Sequence, residues 1–365
     1  MRLLVAAITV CWGSVALACT GSLFHAPVQY AVAADEVLLL ADLDGDGAPD
    51  ILTSGTQVEQ RGAFSLLRNR GDGTFADEQQ VSSGFGQKLE DAADFDRDGV
   101  LDLVASDYWS NGIVVDGVPY ATATHGGPTR TVDYDRDGHL DIVSFSFGSG
   151  NPVHVHLFRG RGDGTFHPKQ TFETSLTVAA TPSMRLRDGA PEFLVNDHSG
   201  QLAIVRVAAN GISWTTRGAG PGFDLASTFA DVNGDGHADI VDANDEGSLF
   251  VTLATPDGGF LERKPSRKLE FPVHLHAADV DGDGRLDLIA GDFRATKLHY
   301  FRGDGAGGFA AGVAFAAGGV VSDVAVGDVN GDQRPDVVTA NDEGSVSVIL
   351  NRGACGPARR RAVRQ

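Results

Sequence analysis

The residues of this chain most able to do chemistry are aspartates, and they recur in register. The pattern D-x-[DN]-x-D-x-x-x-D starts at Asp42, Asp94, Asp133, Asp231, Asp279 and Asp328. Its positions 1, 3, 5 and 9 are Asp42, Asp44, Asp46 and Asp50; Asp94, Asp96, Asp98 and Asp102; Asp133, Asp135, Asp137 and Asp141; Asp231, Asn233, Asp235 and Asp239; Asp279, Asp281, Asp283 and Asp287; and Asp328, Asn330, Asp332 and Asp336. A tight loop with oxygens at this spacing, and a backbone carbonyl at position 7, supplies the roughly six to eight hard ligands that Ca2+ takes. Glycine at position 6 permits the sharp bend in five of the six; the last has Gln333 there, which leaves its occupancy open. An EF-hand would need Glu at position 12, where Thr53, Ala105, Ser144, Asp242, Ala290 and Thr339 stand. One acidic turn alone would read as a solvated strand end. Six in register read as metal loops, and five or six structural Ca2+ ions are expected.

The elements that would position such loops follow from what flanks them. Forty-seven glycines and only two methionines suit short strands and tight turns better than long helices. Each motif runs into an apolar pair, as at Ile51-Leu52 or Ile240-Val241, which marks a buried strand. A further strand and a Gly-Asp-Gly-Thr-Phe turn follow, as in Leu66 to Phe75 and Leu157 to Phe166, with weaker copies ending at Phe260 and Phe309. The motif starts lie 39 to 52 residues apart except for one gap of 98. A degenerate copy, Met184 to Glu192, fills that gap and is expected to be an empty loop. Seven four-stranded units of this size fit an all-β, seven-bladed β-propeller.

With these motifs in view, the chain resembles the FG-GAP or VCBS repeat family, whose best-known member is the integrin α-subunit head. The resemblance covers nearly the whole chain and implies a blade order of inner strand, acidic loop, second strand, upper loop, third strand, Gly-Asp-Gly turn and outer strand. The seventh unit stops after Val346–Asn351, and Gly21-Ser22-Leu23-Phe24 imitates the turn before Val28–Val32, so the first strand is expected to close the ring. That closure would bring Cys19 and Cys355 to one turn, and a disulfide between them is expected in an exported chain. Family members include adhesion proteins, lectins and some sugar-active enzymes. The implied function is an exported, calcium-binding, monomeric scaffold for a protein or glycan ligand; a lectin is the alternative, and a polysaccharide lyase or another sugar-active enzyme the further one.

Residues 1–18 read as a signal peptide, with Arg2, an apolar stretch and a small-x-small site at Ala16-Leu17-Ala18. Lipid modification at Cys19 is the rival, although Ala16 stands where such a motif usually wants Leu. Residues 19–356 form the propeller and 357–365 a basic tail. The stretch is too short to span a bilayer. A net charge of −20 excludes nucleic acid as a natural partner, and six Ca2+ would offset more than half of it.

The acidic loops and Gly-Asp-Gly turns share the lower face, so ligand contacts are expected from the upper loops. Candidates are Tyr108 and Trp109, able to stack on a sugar ring, with His198, Phe293 and Arg294. His154-x-His156 and His274-x-His276 would each give zinc only two nitrogens and are read as structural. The Arg-Gly-Asp triplets at Arg70, Arg161 and Arg302 fall in the repeat turn and are read as backbone-driven. No nucleophile-base-orienter set stands out, and no catalytic residue is assigned.

Overall fold

The computed structural model describes residues 22–33, 37–55, 63–82, 88–107, 112–122, 127–146, 152–176, 183–196, 202–217, 224–292 and 295–353. Among them are 28 strands in seven four-stranded antiparallel sheets. Blades 1 to 6 span 37–82, 88–121, 129–173, 183–217, 224–268 and 272–316. Blade 7 takes its inner, second and third strands from 321–349 and its outer strand, Val28–Ala31, from the start of the chain. In that closing pair Val28 faces Val348 and Ala31 faces Ser345. Phe24 bridges Asn351, as Phe75 bridges Asn69 and Phe166 bridges Gly160, so Ser22–Phe24 does take the part of the repeat turn.

The second strands of blades 1, 3, 5, 6 and 7 are buried along their whole length, because both faces of each sheet are covered by neighbouring blades. This is why their apolar residues stand next to each other, as at Ile51-Leu52 and Val337-Val338, instead of alternating with exposed ones. Outer strands such as Val28–Ala31 and Gln170–Glu173 face solvent. The core is a ring of inter-blade packets: Phe145 and Val155 of blade 3 meet Phe193 and Val205 of blade 4, and Val338 and Val348 of blade 7 meet Ile51 and Leu67 of blade 1.

Side chains of the inner strands lace one blade to the next. Asp323 of blade 7 accepts the Leu38 amide of blade 1 at 3.0 Å, and Asp91 of blade 2 accepts the Thr131 amide of blade 3 at 2.9 Å. Both carboxylates sit just past a β-bulge, which re-aims the side chain toward its neighbour.

Blade 4 departs from expectation. Met184 to Glu192 is not an empty nine-residue loop: strands Ser183–Arg187 and Ala190–Asn196 pair directly, with Arg187 opposite Ala190. Asp188 and Gly189 alone make the turn, with φ of 52° and 70°. Asp-Gly favours such a two-residue hairpin once the carboxylates that would curl a longer loop are gone.

Cys19 and Cys355, residues 1–18, the tail 357–365, and the upper-loop candidates Tyr108, Trp109, His198, Phe293 and Arg294 lie outside the described residues.

Candidate metal centres

All six acidic loops fold around their first carboxylate. In the first, Asp42 accepts the amides of Gly45, Asp46 and Gly47 at 2.9–3.1 Å; in the fifth, Asp279 accepts those of Asp283 and Gly284 at 3.0 and 2.9 Å. Wrapping the backbone this tightly requires positive φ at positions 4 and 6, as at Gly282 (74°) and Gly284 (85°). Arg97 and Arg136 pay this conformational penalty at position 4 and Gln333 at position 6, with φ of 63–65°. Gln333 still donates its amide to Asp328 at 2.7 Å, so the sixth loop keeps the shape of the others. Asn233 and Asn330 replace a carboxylate at position 3 and accept the amides of Asp235 and Asp332, each at 2.9 Å.

The carboxylate at position 9 opens the second strand and is the buried member. Asp141, Asp239, Asp287 and Asp336 are fully buried and Asp50 nearly so. In each of these five, one oxygen accepts the amide at position 2 and the other an amide just past the third strand; for Asp287 these are Val280 at 3.1 Å and Gly303 at 2.8 Å. Burial raises the carboxyls of Asp239 and Asp287 above the usual range and those of Asp141 and Asp336 to about 6. In blade 2 the third and outer strands turn through Asp116-Gly117 alone, and no such amide arrives. Asp102 is therefore raised to about 6 by burial and by the neighbouring Asp116 carboxylate. Asp116 lies outside the acidic motif, and the one signal for it in the sequence is an Asp-Gly between Val114-Val115 and Val118, which marks a hairpin.

Four loops bring three carboxylate oxygens to within 4.8 Å of one another: Asp42, Asp44 and Asp46; Asp94, Asp96 and Asp102; Asp133, Asp135 and Asp141; and Asp279, Asp281 and Asp287. Such all-oxygen sets can hold a hard metal ion, since a carboxylate oxygen that accepts one amide keeps a lone pair free. In three blades an arginine just past the third strand answers the same charge. Arg159 reaches Asp135 and Asp137 at 2.5 and 2.7 Å, Arg302 reaches Asp281 and Asp283 at 2.7 and 2.8 Å, and Arg68 reaches Asp50 at 2.6 Å. In blades 5 and 7 the residue at this place is Leu253 or Leu350.

Four of the six loops also touch the next blade. The carbonyl at position 2 accepts a hydrogen bond from the neighbouring turn: Phe95 from the Gly164 amide, Val232 from the Gly307 amide, Val280 from the Asn351 side chain and Val329 from the Asn69 side chain. The Asp of the repeat turn is committed locally, Asp72 and Asp163 each accepting the amide and hydroxyl of the Thr two residues on. The Arg-Gly-Asp triplets are thus part of a turn. His156 is buried, with Ser146 Oγ at 2.6 Å from Nε2 and Thr171 Oγ1 at 3.0 Å from Nδ1, and burial lowers it to about 4.

A family model for FG-GAP-like repeats matches residues 42–105, 231–290 and 279–339, each match starting on the first aspartate of an acidic loop. This chain is an FG-GAP-like repeat protein. No curated protein matches the chain. Among solved structures, this FG-GAP-like propeller is similar to BBS1N in a complex with ARL6DN, at 12% identity and a TM-score of 0.64, over 91% of this chain and 98% of that one. It is also similar to a lectin from Agrocybe aegerita that recognises non-reducing terminal N-acetylglucosamine, at 20% identity and a TM-score of 0.56, over 78% and 81% of the two chains. The WD40 domain of Toxoplasma gondii coronin matches at 12% identity and a TM-score of 0.55, over 90% and 87%. These likenesses show the fold alone. No helix among the described residues is long and apolar enough to cross a membrane.

Proposed function

We propose that this FG-GAP-like protein is an exported, non-enzymatic ligand-binding propeller whose blades are held together by Ca2+ in the six acidic loops. The observation that carries the reading is the convergence of carboxylate oxygens to within 4.8 Å in four of those loops, on the same end of the sheets as the repeat turns. Metal there would tie strand to strand within a blade and, through the carbonyl at position 2, blade to blade. The second strands end at the opposite face, where Asn244–Gly247 and Asn341–Gly344 form short turns with Asp342, Glu343 and Glu246 exposed. A rigid ring with one end given to metal leaves the other to a partner, a protein or a glycan. The leader-like start supports export.

Thermal unfolding in EGTA and in millimolar Ca2+, with metal content measured on the same sample, tests the reading. A rise in melting temperature of more than about 10 °C with five or six ions bound is expected. No shift and no bound Ca2+ would sink it.

A further inference from the structure

The variant fourth blade leaves a cavity of about 390 Å3 where an acidic loop would otherwise stand, between its sheet and the turn of blade 5. Its floor is a row across all four strands of blade 4: Arg185 lies opposite Glu192, Glu192 opposite Arg206, and Arg206 opposite Ser213. Glu192, 3% exposed, takes Arg185 at 2.7 Å and Arg206 at 2.8 Å. That one carboxylate pairs closely with two of the four guanidiniums and leaves the other two underpaired. Arg187 donates to the carbonyls of Asp257 and Gly258 at 3.1 and 3.2 Å, and its closest carboxylates are Glu192 at 3.7 Å and Asp188 at 3.9 Å. Arg217 lies 4.7 Å from the centre of the Phe260 ring and donates to the Leu261 carbonyl at 3.2 Å.

Four guanidiniums against Glu192 and the exposed Asp188 make a cationic pocket in a chain of net charge −20. A guanidinium presents two parallel donors that match a carboxylate or sulfate, and packing on an aromatic face removes water from one side of it. Ser213 and Thr215 add exposed hydroxyls along the rim, suited to a polyhydroxylated ligand. We propose that this pocket binds an acidic sugar, with Arg187 and Arg217 holding a carboxylate or sulfate and the Ser213 and Thr215 hydroxyls contacting the pyranose ring. The assignment is independent of the Ca2+ reading and of the upper face, since none of these residues belongs to either.

Isothermal titration of the Ca2+-loaded full chain at low salt tests it, with D-glucuronate, glucose 6-sulfate, glucose and sodium sulfate as probes. At least one acidic sugar binds, glucose does not, and added NaCl weakens the binding. The acidic sugar that binds more tightly names the oxyanion. Arg217→Gln and Arg187→Gln each weaken it on the order of tenfold, and Arg217→Lys, which keeps the charge but loses the fork, weakens it as well. Melting temperatures identify any variant that fails to fold, and the remaining variants decide. No heat from either acidic sugar overturns the proposal, as does binding that is unchanged in the folded arginine variants. Sodium sulfate binding as tightly as glucose 6-sulfate overturns the sugar assignment.

Discussion

Position 9 of the acidic loop has two roles that conflict once the metal is gone. Asp287 accepts two buried amides and the Tyr300 hydroxyl, at 3.1 Å, before any cation is counted. Asp287→Ala therefore strands those amides and is expected to cost about 2–4 kcal/mol even in EGTA, read from urea unfolding. Asp283, on the exposed side of the same loop, pairs only with Arg302 and its own turn. Asp283→Ala is expected to shift EGTA stability by under about 1 kcal/mol while lowering the bound-ion count by one. The spacing of the aspartates in the sequence marked both as equal ligands. It held no sign of which would be buried, because that depends on an amide arriving from beyond the third strand, 16 residues away at Gly303.

At the scale of the loop, the residue at position 6 separates one copy from the other five, in a backbone conformation that all six share. Gln333 holds a φ of 65° that glycine holds elsewhere. Gln333→Gly is expected to raise stability by about 1 kcal/mol, seen as a higher urea midpoint at unchanged slope. An unchanged or lower midpoint would mean that the extra chain entropy of glycine outweighs the strain. The blade count, the strand order and the closing strand were legible in the sequence because each rests on local signals repeated many times. Blade 4 was legible only as a failed copy: losing the carboxylates does not empty the loop but removes it. The cation row that takes its place is assembled from Arg185, Glu192 and Arg206 on three different strands, a juxtaposition that no spacing along the chain announces.

For the whole ring, acidity acts through two opposed sets of buried groups. Asp102, Asp141 and Asp336 are raised from 3.8 to about 6, so without metal they contribute stability that is complete below 3.8 and lost as pH rises through about 6. His156, His274 and His276 are lowered from 6.5 to about 4 by burial, so their contribution is complete above 6.5 and lost as pH falls toward 4. Between pH 7 and 5 the two sets offset each other in EGTA, and the melting temperature is expected to change little. Ca2+ holds the aspartates as anions and removes their gain on acidification, so the Ca2+-loaded protein is expected to lose melting temperature steeply over the same interval. Parallel slopes in the two conditions would argue against metal at these aspartates. The closing strand, finally, sets an order in time. A chain that emerges start first presents Val28–Ala31 before the strands of blades 1 to 6, yet their partner among the described residues, Ser345–Ile349, comes after all of these. Six blades must therefore wait as an open arc, with this strand unpaired, until the seventh has been made.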